Sequence, residues 1–301
     1  MTSRAHVEES RRALIVHVRW GPCAGNKAIL LPGQTLQVGR AQSMGLSVPG
    51  DPWMSNLHFE LTWDGARGTF RNRCDKADTL LCGERLDEGP VSHGAWIRAG
   101  MTTFSVYHEA EARGARLTGP MPAENPTHKT QVLAALQTTA EPLFAILDAS
   151  VDSRILVLLR ESTEECRSLY EGASGDLLEE VAPYLVALQK DSSLLEVLVH
   201  EGWGRHWGIF LTSPRPFHEV RRHFRKFLMI EDDKARKLYF RFYDPRVLRQ
   251  FLPLCNPSQT ESLFEAVSAY LLEEADPLTS LVRFTRHEHT VLLETLGPGA
   301  E

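Results

Sequence analysis

Two groups of side chains in the second half of this 301-residue chain have the chemistry to hold another molecule. The first is Arg221, Arg222, Arg225 and Lys226. They are interleaved with Phe217, Val220, Phe224, Phe227 and Leu228, apolar residues that recur at helical spacing. The basic residues therefore share a helix. They form either a solvated face paired with Glu231, Asp232 and Asp233, or a docking surface for an acidic segment of a partner. The second group is Tyr239, Arg241, Tyr243 and Arg246, of the two residue types that most often anchor interfaces. Partner binding is the expectation for Arg221, Arg225, Tyr239, Arg241, Tyr243 and Arg246, while Asp244 and Pro245 read as a strand-to-helix corner. Nucleic acid fits less well, because no recognisable reader fold adjoins the basic residues.

Catalytic chemistry finds no such foothold. In His200-Glu-Gly-Trp-Gly-Arg-His206 the histidines stand six apart, and the zinc-protease pattern needs its second His where Gly204 stands. His287 and His289 would share one strand face, but no third ligand is evident. Asp148 and Asp152 flank a strand end, where a cap is the simpler role. There is no Gly-x-Ser-x-Gly elbow, no Walker loop and no dinucleotide fingerprint. The reading is a protein without an active site, a metal or a cofactor.

The elements that must position these side chains run from Glu201 to Pro253. Trp207–Leu211 is a short apolar run, a buried strand. The basic helix follows. Leu238, Phe240 and Phe242 alternate with Tyr239, Arg241 and Tyr243, which predicts a strand with two distinct faces. Asp244 suits an N-cap and Pro245 the first helical position. Val247, Leu248, Phe251 and Leu252 make the next apolar stripe, and Pro253 ends it.

Composition is that of a globular protein, 43% hydrophobic and 24% charged, with net charge -6. That charge argues against a dedicated nucleic-acid binder. Five cysteines, Cys23, Cys74, Cys82, Cys166 and Cys255, include no Cys-x-x-Cys pair and suit a reduced compartment. The start, MTSRAHVEESRR, lacks the apolar core of a signal peptide. No run is long and apolar enough for a membrane span. The expectation is a cytoplasmic protein with neither membrane nor nucleic acid as partner.

Residues 12–110 read as all-β. Leu14–Val18, Ala28–Leu31, Leu57–Trp63, Gly68–Phe70 and Thr102–Tyr107 are short strand candidates punctuated by Gly, Pro and Asp, which implies a sandwich or barrel. Within it, Val38-Gly39-Arg40, Ser55-Asn56-Leu57-His58, and Thr79 followed by Cys82-Gly83 stand in the order of the forkhead-associated (FHA) fold, which this region resembles. The resemblance implies a β-sandwich that binds phosphothreonine peptides, with Arg40 and Ser55 on the phosphate, Asn56 and Thr79 in the same binding set, and Gly39 and His58 structural. A guanidinium and a hydroxyl suit a dianion. The chain departs from the pattern at Ala77-Asp78-Thr79, where the family has Asn-Gly-Thr. The Asn that holds the peptide backbone is missing, and Asp78 adds negative charge. A non-phosphorylated partner is the alternative.

Residues 111–140, with Pro120, Pro122 and Pro126, read as a Pro-rich linker containing at most a helical turn at Gln131–Leu136. Residues 141–296 read as an α/β or α+β domain. Leu143–Leu147, Arg154–Leu159 and Tyr184–Leu188 are expected strands. Capping boxes at Ser162–Glu165 and Ser258–Glu261 would open helices, the second continuing through Leu263, Phe264, Val267, Tyr270 and Leu271. Asp176–Val181 and Ser192–His200 are further helices, and Leu281–Phe284 with Thr290–Leu293 a closing hairpin. Leu143-Phe-Ala-Ile-Leu-Asp148, Leu169-Tyr-Glu-Gly172, Val181-Ala-Pro-Tyr-Leu-Val186, Trp207-Gly-Ile-Phe-Leu211 and Phe240-Arg-Phe-Tyr-Asp-Pro-Arg246 follow the motif order of the effector-adaptor chaperones of bacterial type VI secretion (the Tap/TEC family), which residues 141–270 resemble. The resemblance implies an adaptor that binds a toxic effector and loads it onto the VgrG spike, without turnover. A phosphothreonine-dependent signalling protein is the alternative.

Overall fold

The computed structural model describes residues 13–74, 79–109, 126–170, 178–231, 237–274 and 281–296. The chain is multidomain. It divides into two compact units, one of residues 1–110 with Leu158–Thr163, the other of the remainder.

The first unit is an all-β sandwich. One sheet has six strands in the order β2 (Lys27–Leu30), β1 (Leu14–Trp20), β11 (Thr102–His108), β10 (Trp96–Ala99), β7 (Thr79–Leu81) and β8 (Glu84–Arg85). The other has five, in the order β4 (Leu46–Ser47), β3 (Thr35–Gly39), β5 (Phe59–Trp63), β6 (Gly68–Asn72) and β9 (Glu88–Val91). The cause is period-two patterning. In β5, Phe59, Leu61 and Trp63 are buried while Thr62 faces out, and β3 buries Leu36 and Val38 against exposed Thr35 and Gln37. These residues interdigitate with Val16, Val18, Phe70, Ile97 and Phe104 in one apolar core. Strands β3, β4, β7, β8, β9 and β10 are not among the strands expected from the sequence.

The second unit combines helices with a seven-stranded sheet. Its order is β13 (Cys166–Ser168), β14 (Pro183–Leu188), β12 (Leu143–Asp148), β15 (Gly208–Thr212), β18 (Ala269–Glu273), β19 (Leu281–His287) and β20 (Thr290–Leu296), and every neighbouring pair is antiparallel. All six residues of β12 are buried, as a continuous apolar run requires. Helix α4 (Phe217–Arg225) places Val220 and Phe224 in the core with Leu211, Phe242, Leu248 and Tyr270.

Several elements differ from the sequence reading. The 111–140 segment contains helix α1 (Pro126–Gln137), a three-turn helix that buries Val132 and Leu136, and residues 111–125 lie outside the described set. Arg154–Leu159 is not a strand but part of helix α2 (Ser153–Glu161). A five-residue apolar run fits either state, and Asp152 decides, its carboxylate taking the Arg154 N–H at 2.9 Å. Ser162–Glu165 opens no helix, because Cys166–Ser168 pairs with β14. Of Asp176–Val181, residues 176 and 177 are outside the described set, and Glu179–Val181 is a single 3₁₀ turn. The expected Ser192–His200 helix is α3 (Ser193–Val197), capped by Ser192 and continued by a π turn at Leu198–Gly202. The capping box near 258 is instead Asn256 with Gln259, and its helix, α6 (Pro257–Leu263), is short. Tyr270 and Leu271 belong to β18.

The strand expected over residues 238–243 is confined to β17 (Lys237–Tyr239), which pairs with β16 (Met229–Glu231) as a separate two-stranded hairpin. Beyond it the chain turns, with the Asp244 N–H on the Arg241 carbonyl at 3.0 Å, so Phe242 and Tyr243 are buried side by side instead of alternating. Asp244 then caps helix α5 (Pro245–Phe251), with Pro245 in its first turn, as the sequence predicts. Pro253 falls within a 3₁₀ turn, Leu252–Leu254, that follows the helix.

Candidate functional site

The loops leaving β3 and entering β5 are laced together at one end of the sandwich. The Arg40 N–H donates to the Ser55 carbonyl at 2.9 Å, and the Ala41 N–H to the Asn56 carbonyl at 3.2 Å. This approach explains Gly39. A Cβ there would lie 2.1 Å from the Asn56 oxygen, a contact no side chain tolerates. Arg40 and Asn56 are exposed and Ser55 is half-buried, its hydroxyl 3.0 Å from the Cys74 sulfur.

Beneath these residues runs a buried chain of hydrogen bonds. The Ser55 N–H donates to His58 Nδ1 at 3.0 Å, which leaves the proton on Nε2. Nε2 then donates to the Thr79 hydroxyl at 3.0 Å, and that hydroxyl donates to Asn72 Oδ1 at 3.0 Å. Burial holds the His58 imidazole below its ordinary pKa, with the Asp51 carboxylate pulling the other way, so the ring is neutral. Thr79 is 3% exposed and both of its hydroxyl roles are taken. It braces the loop from below and does not present itself to a ligand, which corrects its place in the binding set. Ala77 and Asp78 lie outside the described residues. Asp51, which drew no attention in the sequence, is buried and ties this loop down by accepting from the N–H groups of Trp53 (3.0 Å) and Met101 (2.8 Å) and from the Thr102 hydroxyl (2.7 Å).

In the second unit the candidate partner residues divide. Arg221 Nε donates to the Ser168 carbonyl at 2.8 Å and Arg225 Nε to the Leu169 carbonyl at 3.0 Å. Both guanidinium groups are turned onto the backbone after β13 and are not a free basic face. Arg222 is exposed, and Lys226 bonds Glu265 at 3.0 Å. Tyr243 is buried, not a surface anchor. Arg241 ion-pairs with Asp148, and its guanidinium lies 6.0 Å from the Tyr243 ring centre. Arg246 grips the carboxylate of its own N-cap, Asp244, with Nη2 at 2.7 Å. Burial opposes the Asp244 charge, but these bonds outweigh it and hold the carboxyl below its usual range. Tyr239 is the most exposed of the group, at 69%, and the Arg241 and Arg246 side chains are about half exposed.

A polar cluster thus forms where the sequence showed only separate motifs. The buried Asp148 carboxylate receives Arg241 on one oxygen and the Ser150 N–H (3.0 Å) and hydroxyl (2.6 Å) on the other. The Tyr243 and Tyr170 phenols hydrogen-bond to each other, and burial raises both pKa values. Both phenols therefore stay protonated at neutral pH. The cluster is a set of satisfied ion and hydrogen bonds with structural consequences.

The remaining candidates are placed plainly. His206 pairs with the buried Glu273 carboxylate, which also takes the Gly204 N–H at 2.7 Å, in a turn before β15. His287 ends β19 and His289 sits exposed in the following turn. Among the described residues, no group of three or more His, Cys, Asp or Glu is arranged to hold a metal, and no helix is long and apolar enough to cross a membrane. None of the five cysteines is joined in a disulfide.

Comparison with known families matches residues 143–262 to the model described as "Domain of unknown function (DUF4123)". The match runs from β12 into α6. No curated protein matches the chain. Solved structures similar to the first unit include the FHA domain of the CT664 protein from Chlamydia trachomatis. It is 18% identical, covers 33% of this chain and 99% of its own, and has a TM-score of 0.31. The FHA domain of an Arabidopsis thaliana hypothetical protein is 22% identical, covers 37% of this chain and 91% of its own, and has a TM-score of 0.30.

Proposed function

We propose that this chain is a bacterial cytoplasmic adaptor of type VI secretion, which binds a cognate effector and loads it onto the VgrG spike by stoichiometric contact, without catalysis. The observation that carries the reading is the match of residues 143–262 to DUF4123, a family associated with such adaptors, over the same span as the five motifs. One surface available to a partner is the β16–β17 hairpin, where Met229, Ile230, Leu238 and Tyr239 are all exposed. Exposed apolar side chains grouped on a two-stranded hairpin suit a protein interface. The experiment is co-expression of the tagged full chain with the VgrG and candidate effectors of the same bacterium, followed by co-purification. Recovery of both a spike protein and one effector, reduced by the paired substitution Leu238→Ser and Tyr239→Ala, is the expected result. A chain that retains neither partner refutes the reading.

A second reading has its own support in the exposed Arg40 and Asn56 beside the Ser55 hydroxyl. Here the FHA-like unit binds a phosphothreonine protein, as regulation or as the main task. Fluorescence anisotropy with phosphothreonine peptides tests it. Binding that Arg40→Ala abolishes supports it, and no binding by the full chain removes it.

A further inference from the structure

The two edges of the seven-stranded sheet are treated differently. At one edge, β13 is only three residues long, and Arg221 and Arg225 occupy the carbonyls of Ser168 and Leu169. At the other, β20 is seven residues long and pairs only with β19 among the described residues. No hydrogen bond from a described residue reaches its outer side. Proteins usually guard such an edge with lysine, proline, a bulge or shortness. The β20 sequence, TVLLETL, has no lysine or proline, and its register with β19 runs unbroken from Leu281–Leu296 to His287–Thr290. Its one charge, Glu294, is met by Arg283 across the hairpin at 3.7 Å. Apolar side chains flank the open edge, with Leu292 50% and Leu293 59% exposed on opposite faces. Leu254, 81% exposed, belongs to the 3₁₀ turn that packs against β20.

We propose that β20 pairs antiparallel with β20 of a second copy across a two-fold axis, joining the two sheets into one. This does not rest on the adaptor reading. In the two-residue β19–β20 hairpin the closing pair His287–Thr290 is hydrogen-bonded and every second pair after it likewise. Val291, Leu293 and Thr295 therefore turn their N–H and C=O groups outward. Centring the two-fold on Leu293 sets Leu293 against its own copy, Val291 opposite Thr295, and Leu292 opposite Glu294. The three outward residues on each side then exchange about six main-chain hydrogen bonds. No like charges face each other, since Glu294 meets Leu292 and keeps Arg283 within its own sheet. Leu293 gains its own copy as an apolar neighbour. With the far edge blocked by the arginines, the pairing closes at two copies and leaves no edge for continued growth.

Sedimentation of the full chain over a range of roughly 1 to 100 µM tests this, because dimerisation is concentration-dependent. The expected mass rises from 33.9 kDa toward twice that value. Leu293→Lys puts a charge on the axis, and Thr295→Pro removes only an outward N–H. Each is expected to weaken the dimer at least about 100-fold while far-ultraviolet circular dichroism is kept. Should either variant unfold, amide exchange of the wild type decides instead, with Val291, Leu293 and Thr295 slowing as concentration rises. A wild type that stays at 33.9 kDa throughout, a dimer that neither substitution weakens, or outward amides indifferent to concentration overturns the proposal.

Discussion

The buried position of Thr79 makes a sharp test, because the two roles open to this residue differ in what its hydroxyl is worth. Thr79→Val keeps the shape of the side chain and removes the hydroxyl. His58 Nε2–H then loses its acceptor at a site where His58 is 0% and Thr79 3% exposed. An orphaned buried donor costs about 1–3 kcal/mol, and the lost bond to Asn72 adds about 1. Asn72 Oδ1 keeps the Cys74 N–H at 3.1 Å, so it is not orphaned as well. The sum is about 2–4 kcal/mol. For a domain of this size each kcal/mol moves the midpoint by roughly 4–8 °C, so the sandwich should melt about 8–30 °C earlier. Urea denaturation followed by tryptophan fluorescence reads it, since Trp63 is buried in this core. Thr79→Ser, which keeps the hydroxyl, should cost about 1 kcal/mol or less. A Thr79→Val change below about 0.5 kcal/mol, the size typical of a free surface position, refutes the buried chain and returns Thr79 to the binding set.

Three further outcomes follow from the same geometry. Burial holds His58 and His223 below their ordinary value of 6.5, so the unfolded chain binds protons more readily than the folded one. Both units should therefore keep full stability above about pH 6.5 and lose it as pH falls below that, with His58→Gln flattening the dependence in the sandwich alone. Arg241→Ala strands the Asp148 carboxylate, which is 2% exposed while Arg241 is 46% exposed. After discounting for solvent on the arginine side, the loss should be about 1–3 kcal/mol by denaturation, and Asp148→Asn in the same chain should recover part of it. Gly39→Ala should destabilise the sandwich and displace the Ser55–Asn56 loop, measured as a lower melting point and as faster amide exchange at Arg40 and Ala41.

Local signals were legible where one residue type settles a conformation. Asp244-Pro245 predicted a helix start, and the Asp244 carboxylate accepts the Arg246 N–H at 3.0 Å. Alternation in Phe59, Leu61 and Trp63 predicted a two-faced strand, and β5 is one. The hairpin of β19 and β20 was readable from two apolar runs around a polar turn. Misreadings came from runs too short to show a period. Ile155–Leu159 is apolar at every position, so only the cap at Asp152 separates helix from strand. Leu238–Tyr243 alternates on paper, but the turn at Arg241–Asp244 breaks the alternation and buries Tyr243. The site residues were harder still. His58, Thr79 and Asn72 meet only after β5, β6 and β7 have folded together, and Asp148 and Arg241 stand 93 positions apart in the chain.

That last distance bears on what the five motifs mean. The first motif ends in Asp148, the second holds Tyr170, and the last holds Arg241, Tyr243 and Asp244. In the folded chain these residues bond to one another, and Ser168 and Leu169, beside Tyr170, receive Arg221 and Arg225. Three of the five motifs therefore meet in one joint between β12, the chain after β13 and the start of α5. The carboxylates of that joint, Asp148 and Asp244, are answered within the chain, while the Arg241 and Arg246 side chains that answer them stay 46% and 52% exposed. On the adaptor reading proposed above, a partner would be read by what is left outside, these two arginines and the apolar hairpin with Met229, Ile230, Leu238 and Tyr239. On that reading, substitutions of the buried Asp148 and Tyr243 should act through folding and weaken every partner together. Substitutions on the hairpin should separate one partner from another while leaving stability unchanged.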